Sequence, residues 1–134
     1  MVNRAIVCVD DEAIILMAMK QELKHHFGSR FLYETALSAE EALQIIQELG
    51  DEGISVIIVI SDWLMPGMKG DEFLVLVHQQ FPHIRTIMVT GQADEAAIER
   101  AVQEAKISAC LRKPWKSREL MSAIEDILDE RTIA

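Results

Sequence analysis

The chain has 134 residues, half of them hydrophobic, and 22 acidic against 13 basic side chains give it a formal charge of −9. That length can bury one good core but not two independent ones, so a single domain over residues 1–134 is expected, with its core at about residues 4–128. The negative balance opposes direct binding to nucleic acid or to an anionic membrane. The longest strand-like apolar run, Val56 to Ile60, is far too short to span a bilayer, and there is no basic, apolar-cored leader, so a soluble cytoplasmic protein is expected.

Apolar runs of strand length alternate along the chain with segments of helical period. Ala5 to Val9 reads as a strand and Ala13 to Phe27 as the helix after it, with Gly28 at its end. Phe31 to Leu37 is the second strand. Ser38-Ala-Glu-Glu41 is a capping box opening a second helix over Ala39 to Leu49, and Gly50 sits where a terminal glycine belongs. Leu43, Ile46 and Leu49, with Ala42 and Ile45 beside them, form its apolar stripe.

The third strand, Ser55 to Ile60, is apolar on both faces, as a central strand covered by helices on each side must be. Pro82 follows the third helix, Thr86 to Thr90 is the fourth strand and Ile107 to Leu111 the fifth. The fifth helix carries Leu120, Ile124, Ile127 and Leu128, and a short tail over Arg131-Thr-Ile-Ala134 ends the chain. Five such βα units predict an α/β fold with a parallel sheet.

Cys8 and Cys110 lie in strand-like stretches without ligand spacing and read as reduced core residues. His25, His26, His78 and His83 are scattered and form no metal site.

In a parallel sheet the C-terminal ends of all strands lie on one edge, where functional loops collect. Strand one ends in Asp10-Asp11, strand three in Asp62 and strand four in Thr90, and strand five runs into Lys113-Pro114. Each has an ordinary structural explanation: Asp11 as a helix N-cap, Asp62 as a turn former, Thr90 as a β-branched strand end, Lys113 as a solvated charge. Together they bring carboxylates, a hydroxyl and an ammonium to one edge, which those separate explanations do not account for. Crowded carboxylates repel unless a cation neutralises them. Oxygen ligands without histidine or cysteine select a hard divalent ion, Mg²⁺ above all if only a few protein oxygens leave room for water. A carboxylate nucleophile beside such an ion, with an ammonium and a hydroxyl nearby, is apparatus for phosphoryl transfer onto Asp.

These residues fall in motifs spread over nearly the whole chain: Val7-Cys-Val-Asp-Asp-Glu12, Ser61-Asp-Trp-Leu-Met-Pro-Gly-Met-Lys-Gly70, Val89-Thr-Gly-Gln-Ala-Asp94 and Leu111-Arg-Lys-Pro-Trp115. In that order the set resembles the receiver domain of two-component response regulators, of the CheY-like kind. The resemblance implies a doubly wound (βα)5 sheet in the order 2-1-3-4-5 with the site between strands one and three. It implies that Asp62 accepts phosphate from the phosphohistidine of a histidine kinase or phosphotransfer protein. By the same resemblance Asp11 ligates Mg²⁺ directly, Asp10 holds it largely through water, and the Leu64 carbonyl completes the protein ligands. Thr90 and Lys113 then bind the phosphoryl oxygens, Gly91 leaves room for them, and Lys113-Pro114 is cis. Leu64 and Gln92 lie where the family tunes the lifetime of the aspartyl phosphate.

The chain departs from the pattern at Cys110, three residues before Lys113, where the family usually carries Tyr or Phe that reorients on phosphorylation. The implied output surface is the fourth helix, fifth strand and fifth helix. It would act on an output domain or partner protein that the sequence does not identify, and it is compatible with homodimerisation. Two other readings stand beside this one. One is a Mg²⁺-dependent phosphohydrolase with an aspartyl-phosphate intermediate, against which Asp10 and Asp11 are adjacent rather than spaced Asp-x-Asp and no cap insertion is present. The other is a pseudo-receiver serving only as an interaction module, motivated by Cys110.

Overall fold

Successive strand side chains turn to opposite faces. Ile6, Cys8, Ile58, Ile60, Ile87 and Val89 belong to one core layer, and Ala5, Val7, Val9, Val59 and Met88 to the other. Both sets are apolar, so both faces must be covered. The computed structural model describes residues 2–91 and 95–133, with side chains to residue 130. Its strands are β1 (Arg4–Val9), β2 (Leu32–Ala36), β3 (Ser55–Asp62), β4 (Arg85–Thr90) and β5 (Ala109–Arg112). Its helices are α1 (Ala13–Phe27), α2 (Ala39–Asp51), α3 (Gly70–Gln80), α4 (Glu95–Arg100, continued by a π-helical turn over Ala101–Ala105) and α5 (Ser117–Ile133).

The sheet is parallel, as the βα alternation predicts, and ordered β2-β1-β3-β4-β5, the doubly wound arrangement that the resemblance implies. Leu16, Met19, Leu23 and Phe27 of α1 and Leu120, Ile124 and Ile127 of α5 cover one face. Residues of α2, α3 and the α4 continuation, among them Ile46, Phe73, Leu74, Val77 and Ala101, cover the other. Against β1 the register of β3 slips between Ala5 and Ile6, so Ile57 is an extra residue and packs in the same layer as Ile58. No helix among the described residues is long and apolar enough to cross a membrane.

Several boundaries differ from expectation. Gly50 lies inside α2, which runs on to Asp51, and Gly53, at φ 80°, takes the left-handed turn assigned to Gly50. β5 starts at Ala109 rather than Ile107, because Lys106 adopts φ 55° and the Ile107 N–H bonds back to Ala101 O at 3.4 Å, leaving Ile107 in the helix-ending turn. α5 continues through Ile133, so most of the expected tail is helical. Ser38 does cap α2, accepting the Glu41 N–H at 3.1 Å, but Glu41 accepts from Leu37 N rather than from Ser38 N.

Candidate functional site

Strand register assembles the site. Val9 pairs with Ser61 and Asp62 with Val89, so Asp10, Asp62 and Thr90 leave three neighbouring strands at nearly one level. Thr90 pairs in turn with Arg112, which places Lys113 beside them, and the Lys113 N–H donates to Thr90 O at 2.9 Å. The five residues singled out from the sequence therefore meet on one edge. Lys113-Pro114 is cis.

Asp10 is buried, and each of its oxygens has a partner: Oδ1 accepts the Glu12 N–H at 2.9 Å and Oδ2 accepts from Lys113 Nζ at 2.8 Å. Asp11 is exposed and does not cap α1, whose N-cap is Glu12, so the structural explanation for an aspartate there falls away. One oxygen from each of Asp10, Asp11 and Asp62 can be chosen so that all lie within 4.8 Å of one another. This all-carboxylate set fits a hard divalent cation.

Asp62 is also buried, and Lys113 Nζ lies 3.2 Å from its Oδ1. Burial raises the Asp62 carboxyl above its ordinary value and the Asp10 charge raises it further, with Lys113 opposing both. Burial works against the Lys113 ammonium, but hydrogen bonds and charge from Asp10 and Asp62 outweigh it and the lysine holds its proton above the ordinary range. The ammonium thus stands between two carboxylates that would otherwise repel.

Asp62 opens onto a cleft of about 500 Å³ lined also by Asp11, Leu64, Pro66, Gly91 and Lys113. Leu64 is half-exposed there, whereas Met65, which also lines the cleft, is buried against the core. Among the described residues a Cβ on Gly91 would meet Lys113 Cβ at an ordinary 3.7 Å. Thr90 is buried at the end of β4. Gln92 lies outside the described residues.

Three contacts around the site leave little mark in local sequence. Gly70 packs so closely on the carbonyl of Asp62 that a Cβ would collide with it, and its N–H donates to Trp63 O at 2.7 Å. The Trp63 indole donates to buried Asp71 at 2.9 Å. The Trp115 indole donates to Glu22 at 2.8 Å, tying the Lys-Pro-Trp segment to α1 across 93 positions. A glycine opening a helix, where better helix formers exist, is the one local signal that could point to any of these.

The chain is similar to known proteins over nearly its whole length. A family model described as the response regulator receiver domain matches residues 6–125. The sensor kinase CckA of Brucella abortus (strain 2308) is 31% identical over 129 residues, covering 96% of this chain and 13% of CckA. The hydrogenase transcriptional regulatory protein HoxA of Cupriavidus necator is 31% identical over 124 residues, covering 92% of this chain and 24% of HoxA. The chain thus spans less than a quarter of the length of these relatives. Among solved structures, the signal receiver domain of an HD domain-containing protein from Pseudomonas fluorescens Pf-5 superposes with a TM-score of 0.86 at 30% identity, over 100% of both chains. A CheY-like response regulator receiver domain protein from Methanospirillum hungatei JF-1 gives 0.83 at 32% identity, over 98% of each. The chain belongs to the response regulator receiver domain family.

Proposed function

We propose that this receiver domain is a phosphorylatable switch in which Asp62 accepts a phosphoryl group from a histidine kinase or phosphotransfer protein. The observation that carries the reading is the Lys113 ammonium, 2.8 Å from Asp10 and 3.2 Å from Asp62, in a cleft that also holds Asp11. An Asp62 oxygen attacks phosphorus; the O–P bond forms as the P–N bond to the donor imidazole breaks, and the imidazole keeps the electron pair. Lys113 leaves its Asp62 contact to take a phosphoryl oxygen, and the Thr90 hydroxyl takes another. Asp10, Asp11, Asp62 and the Leu64 carbonyl would hold Mg²⁺, which when bound supplies positive charge beside the transferring group.

A protein donor suits the surroundings. Ile14, Met17, Leu37 and Leu64 are large apolar side chains left exposed in α1 and in the loops after β2 and β3, on the edge that carries the cleft. The setting we assign is cytoplasmic, to which the unpaired thiols Cys8 and Cys110 are suited. Phosphorylation then shifts an equilibrium on the surface formed by α4, β5 and α5 toward an output domain or partner. Its chemistry is one phosphotransfer and self-dephosphorylation, without turnover of a separate substrate.

Incubation with Mg²⁺ and a small phosphodonor should add one phosphate, read by intact mass, and Asp62→Asn should not gain it. A wild-type chain that stays unmodified at every donor concentration defeats the reading. Sustained turnover of aryl phosphates far beyond one equivalent would favour a phosphohydrolase instead.

A further inference from the structure

Cys110 has no ring to reorient, and it packs half-buried against the same core layer as Trp63 and Ile98. Another connection runs from the acceptor strand to α4. Trp63 directly follows Asp62; its backbone N–H donates to Val89 O at 3.0 Å and its indole donates to Asp71 Oδ1 at 2.9 Å. Asp71 is 4% exposed in the first turn of α3, and its Oδ2 faces the Arg100 guanidinium at 3.9 Å. Arg100 ends α4, and its Nε donates to Glu104 at 3.0 Å in the π-helical turn.

The two ends of this path are held unequally. Gly70, beside Asp71, is wedged on the Asp62 carbonyl and bonded to Trp63 O, so the loop after Asp62 cannot shift without moving Trp63 or the start of α3. The six residues Glu95–Arg100 include no buried residue, so the helix that Arg100 ends is lightly anchored until Ala101 and Ala105 enter the core. A buried carboxylate needs its partners, because an uncompensated charge in the interior is costly. The partners shown for Asp71 come one from each side, Trp63 from the acceptor segment and Arg100 from α4.

We infer that Asp71 is a positioning residue that couples Trp63, and through it the state of Asp62, to α4 by way of Arg100. The inference rests on the phosphoacceptor reading and assigns it a transmission route independent of an aromatic side chain at position 110. A shift of the Asp62 loop re-aims the Trp63 indole, Asp71 adjusts to keep its hydrogen bond, and the Arg100 contact tightens or loosens α4.

The test is hydrogen exchange over residues 95–105 with Mg²⁺, with and without beryllofluoride as phosphoryl mimic, with phosphate uptake from a small donor measured by intact mass on the same proteins. Asp71→Asn keeps an acceptor for Trp63 but loses the charge facing Arg100; Arg100→Gln removes the cation from an exposed position. Both variants should gain phosphate as the wild type does, while their exchange response to the mimic shrinks about threefold or more. Arg100→Lys should retain the response, which a loss of mere packing would not predict. Normal uptake together with a wild-type response in both Asp71→Asn and Arg100→Gln overturns the coupling. If Asp71→Asn fails to fold, Arg100→Gln decides alone. If the wild type takes up neither phosphate nor mimic, the mass measurement shows that the acceptor reading has failed, and the coupling falls with it.

Discussion

Lys113 Nζ lies 3.2 Å from Asp62 Oδ1 while it donates to Asp10 Oδ2 at 2.8 Å, so one ammonium holds two buried carboxylates together. Lys113→Met leaves that pair without its cation. In chelator, urea unfolding should show a loss of about 1.5–3 kcal/mol, the range for a hydrogen bond to a charged group. Millimolar Mg²⁺ should recover a larger increment in the variant than it adds to the wild type. No loss in chelator would mean that the lysine is not a structural counter-ion.

Asp62 carries a sign that can be checked. Its carboxyl is raised in the fold, chiefly by burial and then by the Asp10 charge, so above the unfolded carboxyl value of about 3.9 the native state holds more protons than the unfolded state. Stability therefore falls as pH rises through the window between that value and the raised one. Asp62→Asn lacks the penalty. In chelator it should melt above the wild type at neutral pH, with the difference closing toward about pH 4. A variant that melts lower than the wild type at neutral pH would contradict the assignment.

Asp11, exposed beside the cleft, should matter chiefly when a cation is present. Mg²⁺ at about ten times its dissociation constant should stabilise the wild type by about 1.4 kcal/mol, seen as a rise in melting temperature of a few degrees. The emission of Trp63, adjacent to Asp62, should change in the same titration. Asp11→Asn should weaken both responses with little change in the metal-free melting temperature. A flat titration of the wild type would argue for an interaction module without metal-dependent chemistry.

Two glycines in helices should respond oppositely to alanine. Gly70→Ala drives a methyl into the Asp62 carbonyl and to 2.7 Å from Trp63 Cα, so it should cost about 1–3 kcal/mol, as overpacking does, and slow phosphate uptake. Gly50 sits inside α2, where an added Cβ would meet no described atom within 4 Å outside its own helix backbone, and Gly50→Ala should stabilise by about 0.5–1 kcal/mol. Thermal melts of the two variants decide this.

Cys8 is fully buried, and burial pushes its thiol up to about 12. Once pH exceeds the ordinary thiol value, the unfolded chain loses a proton that the native chain keeps, so stability is lost toward pH 12 at up to about 1.4 kcal/mol per pH unit. Cys8→Ala should flatten that alkaline loss. In the native protein a maleimide should label half-buried Cys110 well before Cys8, and equal rates would place Cys8 outside the core.

Local pattern and tertiary contact divided the information in this chain. Strand and helix identities were legible because period two and period 3.6 are written directly in the apolar positions, as in Val56 to Ile60 and the stripe through Ile46 and Leu49. Ends are less so: Gly50 stands where the pattern predicts a stop, yet an α-helix tolerates a glycine when Gly53 can make the turn. For the site, sequence order placed Asp10, Asp11, Asp62, Thr90 and Lys113 at strand ends, and parallel topology then required them to share an edge.

What the sequence alone determined was therefore which groups meet, since residue type and strand-end position follow from the chain itself. Only tertiary structure decided how they are held. That Lys113 sits between Asp10 and Asp62, that Gly70 must be small, and that Asp71 lies between Trp63 and Arg100 are relations between segments far apart in the chain. Such relations depend on strand register and helix docking, which are settled by burial of the whole core and leave no periodic trace in the segments that meet.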